Sequence, residues 1–573
     1  PLETNCCRGN QVNDIAATKP KIIVSFGSVP LNWFLSQSAK GDQRQIWMWR
    51  GRRIPVKIGT HQCWYYPLVH PAALLRTRRR GFDPFVHAFE RDLLQVFSDY
   101  ESGLPEPEVE AKENYYSGIE TVEDYTRSGL GKVIHYLRAA AKLDASTIDI
   151  ETNSLKPYNT TSKILSCSVG TFDSVIAFPL EHSQSQWSTV QLKHIYSELK
   201  NYLLSPGRKC AHFTKFEMEW LTHKLGPEIA HRVTWDDTAV LAHVLDERRG
   251  KALEELTEMN FGFNVKKLSN IDTKQLDTLP LSEVLLYNAL DVKWTDALRV
   301  VLMDQVVTGN LLPTYNTVNS FTPSFVAMQI KGVHRNVSVI NQFSQELLDR
   351  QHNILDDIGN NPDILKFKLS NGGKYKPTSN PDLQKFFRDF LKVPHPNKDS
   401  YNFNGKFSLT EDILAKIKHP VAEKTVDLRT TSGNLSKYVE KLLDKPSDLF
   451  PEGGAYVCSD GLLHANFSQL VAATGRAACE NPPLQQWPKR EHREIRRVIC
   501  APPGHSFVAV DYGQLEARVI AMLTKCPVLS KEIFDKIDIH SFWTEQLGKS
   551  FAPEMLKTKQ SIEHLRDYVK NKW

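Results

Sequence analysis

Several features that would assign a protein class directly are scarce in this sequence. Its nine cysteines are scattered over 573 residues, and no two of them form a Cys-x-x-Cys pair. An odd number of cysteines without such a pair favours a reducing compartment, so we expect a cytoplasmic protein with free cysteines. No apolar run approaches the roughly 18 residues that cross a bilayer, so we expect no membrane partner.

Strong charge, repeats and targeting signals are also lacking. The formal net charge is only +5, which permits binding to nucleic acid without requiring it. No internal repeat, low-complexity tract or signal peptide is visible. The chain opens on Pro1 instead of methionine, shortly before a core-strand pattern, and we expect the natural protein to begin earlier.

The sequence does contain enough material for several domains. At roughly 150 residues per domain, its length predicts about three to four of them. Hydrophobic residues make up 41% and charged residues 24%, as in ordinary globular proteins. Composition shifts predict an α/β multidomain chain divided into residues 1–98, an acidic linker over 99–142, and further segments over 143–310 and 311–573.

One short stretch near the end of the chain raises a chemical question. In FVAVDYGQLEARVIAMLT, the apolar run Phe507 to Val510 is typical of a buried strand, and a helical pattern follows Gly513. Asp511 ends the strand, where the strand fixes a carboxylate and the turn exposes it. Metal-assisted phosphoryl transfer needs a second carboxylate, since two metals about 3.5–4 Å apart both require oxygen ligands.

A second set of acids lies in the middle of the chain. The residues of IDIET alternate as on a strand, so Asp149 and Glu151 share one face and repel each other unless cations lie between them. In YNALD, Tyr287 and Asp291 are neighbours on one helix face. Taken singly, each pattern also fits an exposed polar surface.

Together these motifs resemble the 3′–5′ proofreading exonucleases of the DEDDy type, which have a ribonuclease-H-like fold. IDIET resembles the first motif, CAHFTKFEMEWL (210–221) the second and YNALD the third. The resemblance implies two Mg²⁺ ions as cofactor, with Mn²⁺ as an alternative, and a Tyr287 that orients the attacking water. The implied catalytic metal ligands are Asp149, Glu151, Glu217 and Asp291.

The second motif departs from the family pattern HNxxFDxxxL. Phe213 stands at the position of the asparagine and Glu217 at that of the aspartate. The longer side chain of Glu217 would displace a metal by about an ångström, and errors of that size cost on the order of 10²-fold in rate. Two interpretations stay open: an active exonuclease, and one that is weakened or lost.

The last segment resembles the family A DNA polymerases, the group of bacterial DNA polymerase I. TGRAACENPPLQQWPKR (474–490) and EIRRVICAPPGHSFVAVDYGQLEARVIAMLT (494–524), followed by DIH, match the order of that family's palm motifs. Residues 405–443 resemble its thumb and the entry to the palm. The resemblance implies a helical thumb and a partial palm, with a DNA primer–template and dNTPs as partners.

Individual roles follow from the polymerase resemblance. Asp511 and the carbonyl of Tyr512 correspond to metal-binding groups, which makes Asp511 a catalytic residue. Glu516 corresponds to the acid that favours dNTPs over rNTPs, and Gln514 and His540 join it in nucleotide binding.

Polar and basic residues near these motifs suit the DNA backbone. The implied DNA contacts in this segment are Arg476, Gln485, Arg490, Arg497 and Arg518. Contacts of this kind to phosphate carry no sequence information. A solvated charged surface is the alternative for the basic residues.

The second carboxylate of the polymerase site does not follow in the sequence. The family's fingers helix and its VHDE-like hairpin have no counterpart between Asp511 and Trp573. We therefore expect a polymerase centre that is incomplete in this chain, and a second polypeptide that supplies the fingers and the rest of the palm. An intron, an intein or a fragment are the alternatives.

The first segment resembles uracil-DNA glycosylases of the family 4/5 type, which have an α/β sandwich fold. KPKIIVSFGSVPLNWFL (19–35) and LVHPAALLR (68–76) carry that resemblance. By position, His70 resembles the histidine that stabilises the departing uracil, and it is a candidate DNA contact. A live glycosylase, a DNA-binding relic and a generic α/β domain are the three interpretations. Polymerases of certain bacteriophages have such leading domains, which implies a viral source and the host cytoplasm.

The segments together predict one overall function. We expect the N-terminal part of a family A, phage-type replicative DNA polymerase with 3′–5′ proofreading. The alternatives are a stand-alone 3′–5′ exonuclease that uses the polymerase segment only to hold DNA, and a non-catalytic DNA-binding subunit.

Overall fold

A computed structural model of the chain describes residues 2–35, 45–77, 84–107, 109, 114–269, 271–394, 409–448, 453–487, 493–551, 553–558, 562–563 and 565–566. The chain forms two compact units, Pro1–Cys500 and Ala501–Trp573. Among the described helices, none is both long enough and apolar enough to cross a bilayer.

The first part of the larger unit is a small α/β layer. Its elements are α1 (Leu2–Thr18), β1 (Ile22–Phe26), α2 (Ser28–Phe34), α3 (Ile46–Trp49), β2 (Ile54–Ile58), β3 (His61–Leu68), α4 (Pro71–Thr77) and α5 (Pro84–Ser102). The sheet has the order β1-β3-β2, with β1 parallel and β2 antiparallel to β3. Strand β1 and helix α2 lie on either side of Gly27.

The centre of the larger unit is a mixed sheet. Its strands are β4 (Ile119–Thr121), β5 (Ala145–Thr152), β6 (Ile164–Gly170), β7 (Val175–Pro179), β8 (Arg208–Ala211) and β9 (Trp235–Asp237). The six strands have the order β4-β7-β6-β5-β8-β9, and β5 is antiparallel to β6 and parallel to β8. Every residue of β6 and β7 is buried, including Ser166 and Ser168 of β6, and β7 is a continuous apolar run.

Helices connect these strands and continue past the sheet. They are α6 (Arg127–Ala140), α7 (Thr189–Leu203), α8 (Lys215–Leu225), α9 (Glu228–Arg232), α10 (Thr238–Leu245), α11 (Leu253–Phe261), α12 (Lys266–Ser269), α13 (Leu281–Thr308), α14 (Leu312–Asn319) and α15 (Thr322–Lys331). A capping box of Ser188 and Gln191 begins α7. The long helix α13 packs against β5, β6 and β7, which brings its inner residues against the central strands.

The sheet begins inside the segment that composition marks as a linker. Strand β4 pairs in parallel with β7, and α6 packs against β6 and β7. Gly118 allows this pairing, since its φ is 72° and an added Cβ would lie 2.1 Å from the carbonyl oxygen of Asp173. Because β4 is short and mostly exposed, its sequence shows no apolar run that would reveal it.

Beyond α15 the larger unit is mostly helical up to residue 448. The elements are β10 (His334–Arg335), α16 (Val337–Gly359), α17 (Pro362–Ser370), α18 (Asn380–Gln384), α19 (Glu411–Leu414), α20 (Pro420–Tyr438), β11 (Asn466–Ser468), β12 (Ala478–Glu480) and β13 (Ile499–Cys500). Helix α16 packs on α20, and Phe367, Phe386 and Leu428 lie in the adjoining apolar core. β10 pairs with β13, and β11 with β12.

The smaller unit contains α21 (Leu515–Thr524), α22 (Pro527–Phe534) and α23 (Ile539–Phe551). The helix predicted after Gly513 is confirmed as α21, but the buried strand predicted over residues 507–510 is wrong. Val508 is 86% exposed and Val510 is 89% exposed. A strand forms only where a neighbouring strand supplies hydrogen bonds, and none of the described residues of this unit forms one. The described residues of this unit therefore contain no palm sheet.

Candidate metal centre

Acids from three elements face one cavity of the central sheet. One carboxylate oxygen from each of Asp149, Glu151 and Asp291 lies within 4.8 Å of the others. Glu217 and Tyr287 line the same cavity, which has a volume of about 280 Å³. The structure thus brings together all the residues that the exonuclease motifs indicate.

Local geometry explains why these side chains converge. Alternation along β5 directs Asp149 and Glu151 to one face of the sheet, and α13 packs against that strand. In α13, Tyr287 and Asp291 lie one turn apart and both are buried. Glu217 lies in the first turn of α8 and is also buried.

Asn288 belongs to this site, although the motifs did not single it out. It is fully buried in α13, and its Nδ2 donates to Oδ2 of Asp149 at 2.5 Å. Its own Oδ1 accepts from Ser166 Oγ at 3.2 Å. The amide therefore fixes the orientation of one carboxylate. In the sequence, the feature that could have pointed to Asn288 is its place as a polar residue beside apolar ones in YNALD.

Lys266 brings a positive charge into the acid cluster. From α12, its Nζ donates to Oη of Tyr287 and to Oδ2 of Asp291. Burial lowers the pKa of Lys266, but Asp291, Glu151 and Asp149 together outweigh that effect, so the pKa of the ammonium is raised. Nothing in the sequence marks this lysine, because it stands beside Lys267 in an ordinary basic pair.

The pKa values of Asp149, Glu151 and Glu217 are raised, so these groups ionise less readily than in water. Burial raises the pKa of Asp149 to about 8, and the nearby Asp291 adds to the rise. Burial followed by the charge of Asp149 raises the pKa of Glu151 and Glu217 well above the ordinary range. Cations bound among these groups would favour their charged forms.

Two carboxylate oxygens in the cavity lack a hydrogen-bond partner among the described residues. They are Oε2 of Glu217 and Oδ1 of Asp291, and both are fully shielded from solvent. Buried polar atoms are almost always paired, so an orphaned pair of acid oxygens calls for an explanation. Hard divalent cations take carboxylate oxygens as ligands, so this donor set fits a metal site.

Asp237 shapes the turn that leads into α8. Its carboxylate accepts hydrogen bonds from the backbone of Ala239 and Val240 and so caps α10. Burial raises the pKa of Asp237 to about 6 in spite of these bonds. In the same turn, His212 bonds Thr238 Oγ1 through Nδ1 at 2.8 Å. Burial and then Lys266 lower the pKa of His212 to about 3, so its ring is neutral.

A polar network links α8 to the segment that contains Asp460 and His464. Tyr158 stacks on His464 with ring centroids 3.5 Å apart, and its hydroxyl donates to Glu219 of α8. Gln329 also donates to Glu219. His464 in turn bonds the carbonyl oxygen of Gln329 at 2.6 Å and Asp460 at 2.9 Å. The helix that bears Glu217 is therefore held from a distant part of the chain.

The polymerase-motif residues of the smaller unit are not assembled into a comparable cluster. Asp511 and Glu516 are exposed, and Tyr512 is 75% exposed. Gln514 donates to the carbonyl oxygen of Ile537 at 2.9 Å. In the part of the chain that the structure describes, the acids that could share one ion are Asp149, Glu151 and Asp291, and Asp511 is not among them. The side chain of His540 lies outside the described residues.

The candidate DNA contacts are mostly on the surface. Arg476, Gln485 and Arg497 are exposed in the larger unit, whereas Arg490 lies outside the described residues. In the smaller unit, Nε of Arg518 donates to the carbonyl oxygen of Gly513 at 2.7 Å.

The two motifs of the first segment meet at the ends of β1 and β3. The turn at Gly27, with φ at 92°, lies against His70, whose Cβ would be 3.4 Å from an added Cβ. Nδ1 of His70 accepts from the backbone of Ala72 at 3.1 Å. His70 is exposed at this end of the sheet, so a bound molecule could reach it.

Family comparisons assign both large segments. Residues 128–306 match the 3′–5′ exonuclease family, and residues 343–564 match DNA polymerase family A. The chain thus contains one segment that matches each of these two families. The two resemblances read from the sequence motifs are confirmed at this level.

Two relatives that the chain resembles are bacterial DNA polymerase I proteins. DNA polymerase I of Chloroflexus aurantiacus is 26% identical over 442 residues, which are 75% of this chain and 44% of that protein. Thermostable DNA polymerase I of Thermus caldophilus is 29% identical over 218 residues, or 37% of this chain and 24% of that protein. This chain therefore spans less than half the length of these curated relatives.

A solved structure shares the fold. The polymerase domain of Pol1 from M. smegmatis, in complex with DNA primer-template and dNTP, aligns with a TM-score of 0.56 at 18% identity. The alignment covers 77% of this chain and 69% of that one.

Proposed function

We propose that this chain removes nucleotides from the 3′ ends of DNA. The observation that carries this proposal is the convergence of Asp149, Glu151 and Asp291 within 4.8 Å, with Glu217 and Tyr287 in the same cavity. These acids would hold two Mg²⁺ ions, with Mn²⁺ as an alternative. Bound ions would stabilise charge on the phosphate and lower the pKa of a water molecule.

The chain's own residues would orient the reacting water. Oη of Tyr287 accepts a hydrogen bond from Lys266, and the hydroxyl also hydrogen-bonds the carboxylate of Asp291. Burial and then Asp291 raise the pKa of Tyr287, so the phenol keeps its proton. Tyr287 can therefore donate to a water molecule or to a phosphate oxygen placed among the acids.

Glu217 has a less central place than the other acids. It is buried in the same cavity, but the group of oxygens within 4.8 Å of one another consists of Asp149, Glu151 and Asp291. We assign Glu217 to an ion at the edge of the cluster, where its longer side chain would reach. Its unpaired Oε2 supports this assignment.

Asn288→Ala is expected to lower the excision rate about 10- to 100-fold, the usual loss when a group that orients a metal ligand is removed. The amide holds Oδ2 of Asp149 at 2.5 Å, and alanine would release that carboxylate. Single-turnover digestion of a 5′-labelled oligonucleotide measures the effect. Asn319→Ala is a matched control, since Asn319 is half-buried and its Nδ2 donates to the carbonyl oxygen of Trp235. An equal loss in both variants would contradict the proposed role of Asn288.

We further propose template-directed DNA synthesis as the activity of the whole protein. The family A match over residues 343–564 supports this proposal. Asp511 and the carbonyl of Tyr512 would hold metal, and Gln514, Glu516 and His540 would face the nucleotide. The DNA contacts would be Arg476, Gln485, Arg490, Arg497 and Arg518.

Part of the smaller unit exposes apolar surface. In the smaller unit, residues 507–523 expose a series of large apolar side chains, including Val510, Leu515 and Met522. Apolar surface of this extent usually marks a binding face. We propose that fingers and remaining palm residues, carried on a second polypeptide, cover this face.

The first segment would bind DNA without glycosylase chemistry, in a polymerase of phage type. The exposed His70 beside Gly27 supports a contact with DNA. A His70→Ala variant that binds duplex DNA as tightly as the parent would remove this support.

A single gel experiment tests the main proposal. The chain is incubated with a 5′-labelled, mismatched primer–template, Mg²⁺ and dNTPs, and primer length is read. We expect shortening without extension, and extension only when fingers and palm residues are supplied. An unchanged primer would favour a non-catalytic DNA-binding protein. The departures from the family pattern at Phe213 and Glu217 support that alternative. Extension by this chain alone would contradict an incomplete polymerase centre.

A further inference from the structure

Phe213 has a backbone conformation that its residue type rarely adopts. Its φ is 58°, in the left-handed region, where a residue with a bulky side chain is strained and glycine or asparagine is favoured. Phe213 is nevertheless 41% exposed, so burial of the ring does not by itself account for the strain. Strain of this kind persists where the surrounding structure enforces it, and it clusters at functional sites.

Contacts on both sides of the residue hold this conformation. The backbone N–H of Phe213 donates to Oδ1 of Asp237 at 3.2 Å, and Asp237 is itself buried as the cap of α10. The ring of Phe213 meets the ring of His212 edge to face, with centroids 4.7 Å apart. The aromatic ring is therefore presented at a fixed place instead of sampling the surface.

That place is the boundary between two cavities. Phe213 lines the cavity of the acid cluster, together with Asp149 and Asp291. It also lines a neighbouring cavity of about 390 Å³, whose walls include Lys156, Lys215, Asn466 and Asn481. A strand end that reaches the acids from the second cavity would pass over this ring.

We propose that Phe213 is a base-stacking residue that seats the unpaired 3′-terminal nucleotide of DNA at the acid cluster. The inference rests on the proposed exonuclease function and names how that site takes its substrate. Every nucleobase has a π-face that stacks on an aromatic ring. The phenyl ring has no hydrogen-bonding group, so it tolerates any base but needs the base to be unpaired.

A stacking role for Phe213 gives a physical reason for the departure from the family pattern at this position. The pattern has asparagine at this position, which tolerates a positive φ better than phenylalanine does. Phenylalanine loses that backbone compatibility and gains a stacking face. The residue thus selects for frayed or mismatched ends through contact with the base.

The test is a binding measurement on the full chain. The probe is a short single-stranded oligodeoxynucleotide with 2-aminopurine at its 3′ end, in Ca²⁺ to slow cleavage. Stacking on Phe213 quenches 2-aminopurine fluorescence in the parent protein. We expect Phe213→Leu and Phe213→Asn to abolish this quenching and to weaken binding about 10-fold, a usual size for one stacked base. Phe213→Tyr, which keeps the ring, should bind like the parent.

A matched control separates stacking from loss of any exposed ring. Phe321 is 46% exposed and has an ordinary φ of −75°, so Phe321→Asn should leave binding and quenching unchanged. Asparagine suits the backbone at position 213, so the melting temperature of Phe213→Asn should stay within about 5 °C of the parent. Undiminished quenching in Phe213→Leu or Phe213→Asn would overturn the proposal.

The outcomes also distinguish this inference from the exonuclease proposal. Quenching that depends on Phe213 in a chain that never shortens a primer would leave the stacking site standing and remove the exonuclease. Normal excision, together with binding that does not change when Phe213 is replaced, would support the exonuclease and remove the stacking site.

Discussion

An Asp291→Ala variant should lose at least about 100-fold in excision rate, since even groups that only orient metal ligands contribute 10- to 100-fold. Asp291 supplies one of the three oxygens that lie within 4.8 Å of one another. It also accepts from Lys266, which contacts Tyr287 as well. Alanine would remove a proposed ligand and would leave the lysine without its carboxylate. Single-turnover digestion of a 5′-labelled strand measures the rate.

Asp304→Ala is the matched control for this prediction. Asp304 lies on the same helix, α13, but is exposed, so its loss should leave excision unchanged. Glu217→Gln should fall between the two, because Glu217 lies outside the group of three acids. A variant without Asp291 that keeps more than a tenth of the parent's rate would show that the cluster is not the reaction centre.

Mg²⁺ should raise the melting temperature of the exonuclease segment more strongly at pH 8 than at pH 5. Burial raises the pKa of Asp149 from its ordinary 3.8 to about 8. Between these values the metal-free folded chain keeps a proton that the unfolded chain releases, so the free energy of unfolding falls as pH rises. Metal binding requires the ionised acids and therefore competes with protons at low pH.

The size of this effect follows from mass action. A metal present at 100 times its dissociation constant adds about 2.7 kcal/mol, which for a domain of this size corresponds to roughly 5–10 °C. Differential scanning calorimetry at both pH values, with and without Mg²⁺, measures the shift. Asp149→Asn should reduce the pH dependence of this shift, and the raised pKa values of Glu151 and Glu217 account for the part that remains. An equal shift at both pH values in the parent chain would mean that the acids are ionised before the metal arrives.

The sequence predicts those parts of the site that depend on the regular side-chain spacing of strands and helices. Asp149 and Glu151 share a face because side chains on a strand repeat every second residue. Tyr287 and Asp291 meet because residues four apart are neighbours on a helix. These relations need no knowledge of packing, and the order of the motifs along the chain supplied the rest.

Residues whose role depends on distant packing could not be found this way. Lys266 reaches Asp291 across 25 positions, and Asn288 depends on a strand 139 positions away for its contact with Asp149. The error at residues 507–510 has the same origin. Their apolar character predicts a strand, but pairing depends on a partner that the described residues of the smaller unit do not provide.

The network around His464 predicts an effect on the mutation rate of the organism. Helix α8 carries Glu217 in the cavity of the acid cluster and Glu219 in contact with Tyr158 and Gln329. His464 holds that arrangement from within the segment that matches family A polymerases. If the chain edits newly made DNA, a screen for elevated mutation rates should recover alleles at His464. Such alleles would raise the error frequency while every acid of the editing centre stayed intact.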